Sequence, residues 1–203
     1  MADIVDSRKA QQKKLMKAFK KITNAINYEK KDILLSPITI TLGDEFQCVV
    51  ESIKSGIDVI LAIDERRIHE LADFKLRYVL VEGVIDTPVN KTVAYGMLGE
   101  GLTRAREALA AGKSSYHRYS FYIKNIKKCK ALRDSFVVYQ NIIDHWKTDK
   151  DYPLVIKFLE LNDYKLVANE LGKTRSQIWK REKSLNLEAY FSVKKVINYI
   201  AEK

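Results

Sequence analysis

Two aspartates near the start of the chain have the type and setting of ligands for a divalent cation. Asp3 stands in the short apolar run M-A-D-I-V, where a buried carboxylate is costly unless it is paired or metal-bound. Asp44 follows Gly43 at a predicted hairpin tip. Because Mg²⁺ binds one or two carboxylates together with phosphates and water, the pair predicts a weak Mg²⁺ or Mn²⁺ site. The alternative for Asp44 is a polar turn residue.

The predicted hairpin that carries Asp44 spans residues 38–50. Its alternating apolar residues are Ile38, Ile40 and Leu42 before the turn and Phe46, Cys48 and Val50 after it. Gly43 and Asp44 predict a two-residue turn of type II′, since glycine accepts a positive φ at the first central position.

The first two thirds of the chain alternate between strand and helix patterns. Helices are predicted near residues 9–27, 53–68 and 96–111, and strands near 76–85 and 119–123. Ser7 is the expected N-cap of the first helix. The order β-α-β-β-α-β-α-β is typical of the split βαβ or ferredoxin-like layout, an antiparallel sheet with helices on one face. We therefore predict the α+β class, with a first domain over residues 1–128, in which Asp3 and Asp44 converge.

Residues 129–203 are predicted to form a small all-α domain. A linking helix over about 131–147 precedes a helix that begins near Pro153. Residues 164–181 then have the spacing of a helix-turn-helix. In this unit we expect Leu166, Val167 and Leu171 to pack inward, Ala168 to allow close helix approach and Gly172 to form the turn.

The second helix of this unit is predicted to enter the major groove of duplex DNA. Thr174 is the expected N-cap, Ile178 is expected in the core, and Trp179 is interpreted as a packing residue. The residues expected to face DNA are Thr174, Arg175, Ser176, Gln177, Lys180 and Arg181. The alternative is an ordinary pair of helices.

The composition agrees with a nucleic-acid partner and argues against zinc-binding, disulfide-rich and membrane-spanning proteins. The 203 residues include 36 Lys and Arg against 26 Asp and Glu, a net charge of +10. The lysines between Arg8 and Lys31 are interpreted as a solvated helix face. Cys48 and Cys129 have no partner at metal-ligand spacing, which argues against a zinc site or disulfide framework. Since no apolar run approaches about 20 residues, we expect a cytoplasmic protein without membrane spans.

The acidic motifs carry a family resemblance. M-A-D-I-V and T-L-G-D-E-F resemble the F-x-D-I and I-G-D motifs in the palm domain of class III nucleotidyl cyclases, and the G-G-D-E-F turn of diguanylate cyclases. A-D-I-V-D-S-R, I-T-L-G-D-E-F-Q and A-R-E-A-L together resemble the SatD family, which joins such a domain to a C-terminal helix-turn-helix. The resemblance spans most of the chain.

This resemblance implies roles for individual residues. Asp3 and Asp44 match the pair that binds Mg²⁺ against a nucleoside triphosphate, with the Ile4 carbonyl as a third oxygen. Arg106 matches the nucleotide-binding arginine of the later helix. The cyclases carry an asparagine four residues before it, and here that position is Leu102, which cannot donate a hydrogen bond. The resemblance therefore implies nucleotide binding more than cyclase activity. The resemblance also implies a first strand longer than the two residues that precede Asp3 allow. A start codon upstream of Met1 would supply the missing residues.

Three functions from different classes follow. The favoured one is a cytoplasmic DNA-binding regulator, expected as a homodimer, whose palm-like domain binds a nucleotide or mediates dimerisation. The second is a Mg²⁺-dependent enzyme acting on nucleoside triphosphates, against which Leu102 argues. The third is a structural palm without ligand.

Overall fold

The fold is of the α+β class, with a five-stranded mixed sheet and a set of helices around it. The computed structural model describes residues 1–7 and 11–202. The strands are β1 (Ala2–Ile4), β2 (Leu34–Ile40), β3 (Glu45–Val50), β4 (Leu76–Val81) and β5 (Tyr119–Tyr122). The helices are α1 (Gln12–Glu29), α2 (Ile53–His69), α3 (Glu100–Ala111), α4 (Ile126–Asp144), α5 (Tyr152–Leu161), α6 (Tyr164–Glu170), α7 (Arg175–Ser184) and α8 (Leu187–Glu202).

The sheet has the strand order β2-β3-β1-β4-β5. β1 is antiparallel to both β3 and β4, and β2 is antiparallel to β3. The predicted order of strands and helices through β5 is confirmed, but the expectation of an entirely antiparallel sheet is wrong because β5 runs parallel to β4. The crossover through α3 returns the chain to the same edge of the sheet, and such a connection joins parallel strands.

Helices cover both faces of the sheet, although they were predicted on one. Tyr78 of β4 points toward α2, where its hydroxyl reaches Asp64. The next residue, Val79, lies on the opposite face in a separate apolar cluster with Ala105 and Leu109 of α3. Since successive strand residues point to opposite faces, α3 covers the face that α1 and α2 leave open.

The hairpin that carries Asp44 has a longer connection than predicted. β2 ends at Ile40 and β3 begins at Glu45, so that residues 41–44 connect the strands and the prediction of a two-residue turn is wrong. The amide of Thr41 donates to the carbonyl of Glu45 over 3.0 Å and closes the loop. Gly43 has φ 76°, a left-handed value that glycine adopts without a steric penalty, and the demand for glycine here is confirmed.

The start of α1 also differs from expectation. The predicted first residue, Lys9, lies outside the described residues, and the N-cap is Gln11. Ser7 does not cap the helix, since it lies four residues before the N-cap, and its hydroxyl donates to Asp44.

The main hydrophobic core is continuous from the sheet to the last helix. It contains Phe19 of α1, Ile57 of α2, Phe136 of α4, Phe158 of α5 and Tyr190 of α8, all nearly inaccessible to solvent. α8 packs against both α2 and α4. The predicted parts, 1–128 and 129–203, therefore share one core, and their division into domains stays a prediction.

A buried polar network connects α2 to the sheet and to the C-terminal helices. Asp64 accepts hydrogen bonds from Tyr78 over 3.0 Å and from Tyr119 over 2.6 Å. Arg67, one turn later, donates to the hydroxyl of Tyr152 on α5 over 2.5 Å. A further member is Arg118, which is buried and donates to Asp144 of α4 over 2.7 Å. Burial raises the pKa of Asp64, and the nearby Arg67 and Arg118 partly oppose that rise.

One further contact of α2 reaches α8. Glu65 accepts a hydrogen bond of 2.7 Å from the hydroxyl of Tyr190 and also binds Lys194. Among the described residues, none of the helices has the length and apolar character needed to cross a membrane.

Candidate functional site

The strands place the two predicted metal ligands beside each other along the backbone. Asp3 of β1 is in register with Glu45 of β3. The amide of Ile4 donates to the carbonyl of Asp44 over 2.9 Å. The proximity expected from the fold is therefore present, and three carboxylates (Asp3, Asp44 and Glu45) lie at one end of the sheet.

The Asp3 carboxylate is occupied by Arg77 of the neighbouring strand β4. Nη1 of Arg77 lies 3.0 Å from Oδ1 and 2.9 Å from Oδ2 of Asp3. Both residues are buried, with exposed fractions of 4% and 6%. Burial raises the pKa of Asp3, and the positive charge of Arg77 partly opposes the rise. Sequence reasoning missed Arg77, although a single arginine in the apolar run L-R-Y-V-L-V was a signal.

The other two carboxylates also have partners. Asp44 accepts a hydrogen bond of 2.5 Å from the hydroxyl of Ser7. Glu45 lies 3.6 Å from Nζ of Lys113, in the segment after α3. The end of the sheet thus brings three acids together with two cations, Arg77 and Lys113.

A divalent cation does not fit this arrangement as it stands. Both oxygens of Asp3 accept from a guanidinium, and a hard cation needs free carboxylate oxygens. No cluster of three His, Cys, Asp or Glu side chains suited to a metal occurs in residues 1–7 and 11–202. The Mg²⁺ or Mn²⁺ site would require Arg77 to move, and it stays a prediction.

The residues carried over from the cyclase helix lie on α3. Arg106 is exposed, while its neighbour Ala105 packs toward β4. Leu102 is half-buried and lines a cavity of about 450 Å³ whose walls come from β3, β4, α2 and α3. The cavity is mainly apolar, and its walls include Met1, Cys48 and Val81. The nucleotide-binding role of Arg106 stays a prediction.

The predicted helix-turn-helix corresponds to α6 and α7. Val167 and Ala168 of α6 are buried, as expected, and Gly172 in the connection has φ 59°. Leu166 and Leu171 were expected to pack inward, and this is wrong because they are 51% and 38% exposed. α6 has only seven residues, so that it presents one narrow face to the core.

The start of α7 is fixed by a reciprocal pair of hydrogen bonds. The hydroxyl of Thr174 accepts from the amide of Gln177 over 3.2 Å, and Oε1 of Gln177 accepts from the amide of Thr174 over 3.1 Å. This is a capping box, which satisfies two backbone donors that the helix itself cannot. The predicted N-cap is confirmed.

α7 buries one side chain and exposes most of the others. Ile178 is 4% exposed, as predicted, whereas Trp179 is 46% exposed, so that its interpretation as a packing residue is wrong. We define the α7 face as the exposed residues Lys173, Arg175, Ser176, Gln177, Trp179 and Lys180. The other tryptophan, Trp146, is buried and donates from Nε1 to the carbonyl of Leu185 over 2.9 Å.

Arg181 does not belong to this face. Its Nη2 lies 2.5 Å from Oδ1 of Asp151, a buried residue just before α5. The ion pair holds Arg181 toward the protein, whereas sequence reasoning counted it among the DNA contacts. Lys183 forms an ion pair with Glu188 at the start of α8.

Comparison with known proteins identifies a family. A search of the curated proteins and a search of the solved structures both find no match. The family model described as SatD family matches residues 1–200, which is nearly the whole chain. The protein therefore belongs to the SatD family.

Proposed function

We propose that this protein is a DNA-binding regulator in which α6 and α7 form a helix-turn-helix and the α7 face contacts duplex DNA. One observation carries the proposal. A helix of ten residues buries a single side chain, Ile178, and exposes a row of basic and polar residues. A helix that served only to fill the core would bury a broader stripe.

The dimensions and chemistry of α7 agree with this role. An α-helix with its side chains is about 10–12 Å across, which fits a major groove about 12 Å wide, and the ten residues of α7 extend about 15 Å along its axis. Lys173 and Arg175 lie at the N-terminus of the helix, where backbone amides and basic side chains together favour a phosphate. Ser176 and Lys180 are four residues apart and share one side of the helix, from which they can reach base edges.

The palm-like part is proposed as the platform that positions this helix. The strand order β2-β3-β1-β4, with α1 after β1 and α2 after β3, supports the ferredoxin-like or palm layout. The Asp3–Arg77 pair and Leu102 both argue against an enzyme that acts on nucleoside triphosphates. Binding of a nucleotide near Arg106 is the second candidate, favoured by the exposure of that arginine.

The DNA-binding proposal is tested with a fluorescent duplex of mixed sequence at low salt. We expect the parent to bind with an affinity that falls steeply as salt rises, because binding releases condensed counterions. The double variant Arg175→Ala, Lys180→Ala should lose at least about tenfold in affinity. The matched control, Lys17→Ala with Lys20→Ala, removes the same charge from the exposed side of α1.

The control should bind as the parent does. If both double variants keep the parent affinity, α7 is not the DNA-binding helix. If instead the α1 variant loses the binding and the α7 variant keeps it, the contact surface is the lysine-rich side of α1.

We also propose a homodimer, since helix-turn-helix proteins commonly read two half-sites with a two-fold axis. Sedimentation velocity at micromolar concentration, with and without duplex DNA, measures the mass directly. A monomer under both conditions would contradict the proposal.

A further inference from the structure

We propose that the guanidinium of Arg77 takes the place that a divalent cation would hold beside Asp3, so that the acidic end of the sheet is closed without a metal. The family resemblance implies a metal at this position, and the residues present do not fit one. The inference is independent of DNA binding.

The pair is built into the sheet rather than formed by chance at the surface. Asp3 and Arg77 are directly opposed residues of the antiparallel strands β1 and β4, and directly opposed side chains interact across such strands. A guanidinium that contacts both carboxylate oxygens forms one of the stronger charge-assisted hydrogen bonds. Because both residues are buried, the contact is shielded from water and salt.

The surroundings of Arg77 hold its side chain along one path. Nη2 lies 3.4 Å from the carbonyl of Lys113. Gly112 lies beside the same side chain, and a Cβ at that position would be 3.2 Å from Cδ of Arg77. A larger residue at 112 would press on the arginine. Arg77 is thus held beside Asp3 by the strand register and by the carbonyl of Lys113, and Gly112 leaves room for its side chain.

The charges at this end of the sheet agree with an internal cation. Asp44 and Glu45 each raise the cost of ionising Asp3, while Arg77 and Lys113 lower it. A divalent ion would have to displace a buried guanidinium that cannot lose its proton. The displaced arginine would then lie unpaired against the protein interior, which is costly. Arg77 therefore stays charged beside Asp3 and closes the site.

Removing the arginine should open the site. We expect Arg77→Met to melt below the parent, because Asp3 loses its counter-charge. Adding Mn²⁺ should then raise the melting temperature of Arg77→Met by about 4 °C or more, since a ligand that binds only the folded state stabilises it. The parent should melt at the same temperature with and without Mn²⁺.

Two controls separate charge from packing. Arg77→Lys keeps a cation and should remain insensitive to Mn²⁺. The double variant Asp3→Asn, Arg77→Met removes both charges, so that it should recover part of the lost melting temperature and show no response to Mn²⁺.

Binding of Mn²⁺ to the parent protein is measured separately, so that the test does not depend on whether Arg77→Met folds. Free Mn²⁺ gives a six-line electron paramagnetic resonance signal that decreases on binding. We expect the parent to leave the signal unchanged at millimolar Mn²⁺. If the parent binds Mn²⁺ and Asp3→Asn abolishes the binding, or if a folded Arg77→Met gains no response to Mn²⁺, the inference is overturned.

Discussion

The hydroxyl of Tyr119 on β5 donates a hydrogen bond of 2.6 Å to Oδ2 of Asp64, a fully buried carboxylate on α2. Tyr78 donates to the other oxygen, and the buried Arg67 and Arg118 supply positive charge nearby. This carboxylate therefore connects the sheet to the helices on one of its faces. Removing one hydrogen-bonding atom from such a buried group leaves a partner unsatisfied, which costs stability.

We predict that Asp64→Asn lowers the free energy of unfolding by about 1–3 kcal/mol, because the amide nitrogen cannot accept one of the two hydrogen bonds that Tyr78 and Tyr119 donate to the carboxylate. Urea denaturation followed by circular dichroism measures the change. Asp58→Asn on the same helix is the matched control. Its half-exposed pair with Lys54 should contribute no more than about 1 kcal/mol. Equal losses in the two variants would contradict the importance of the buried network.

The same residue predicts how stability depends on pH. Burial raises the pKa of Asp64 above its ordinary value of 3.8, so that the folded state binds this proton more tightly than the unfolded state. The contribution of Asp64 is then complete below pH 3.8 and is lost as pH rises through the folded-state pKa. We expect the stability difference between parent and Asp64→Asn to shrink as pH rises through this window. A difference that grows instead would show that the pKa of Asp64 is lowered.

The capping box predicts a smaller effect at the start of α7. Thr174→Ala removes the side-chain acceptor for the amide of Gln177 and should cost about 1 kcal/mol. Ser176→Ala, two residues later on the exposed side, is the control and should change stability by less than about 0.5 kcal/mol. Thermal unfolding of the two variants side by side gives the comparison. If Thr174→Ala melts at the same temperature as Ser176→Ala, the capping hydrogen bond does not stabilise α7.

The two tryptophans give a spectroscopic test of the α7 face. Trp179 is exposed beside Arg175 and Lys180, while Trp146 is buried in the core. If DNA lies along α7, its bases and phosphates change the surroundings of Trp179 and should quench its emission. The parent should therefore lose fluorescence on titration with duplex DNA, and Trp179→Phe should bind without this change. Quenching that persists in Trp179→Phe would place the DNA nearer Trp146.

Much of the fold was predictable because the local patterns are strong. α2 repeats its apolar residues with helical period from Ile53 to Ile68, and the residues of β5 alternate between buried and half-buried. Thr174 and Gln177 have the residue types and spacing of a capping box. In these cases the sequence signal depends on neighbours within one turn or one strand, and the structure agrees.

The remaining features depend on contacts between distant parts of the chain. Asp3 and Arg77 are 74 residues apart, and only the register of β1 against β4 opposes them. Arg181 has the residue type and helix position of a DNA contact, but the loop before α5 places Asp151 beside it. The face of the sheet that α3 covers, and the direction of β5, likewise follow from the packing of whole elements. Apolar patterns with the strand period of two residues or the helix period of 3.6 residues contain no information on which distant residues pair, which face a helix covers or in which direction a strand runs.

The contacts of α2 restrict how this architecture could be recombined. Its residues 64, 65 and 67 reach the sheet, α8 and α5 respectively, within a single turn of helix. A chimera that carries α5–α8 onto a different sheet would leave Tyr190 and Tyr152 without their acceptor and donor on α2. Transplanting α6 and α7 therefore requires moving α2 with them, together with the tyrosines of β4 and β5 that bind Asp64.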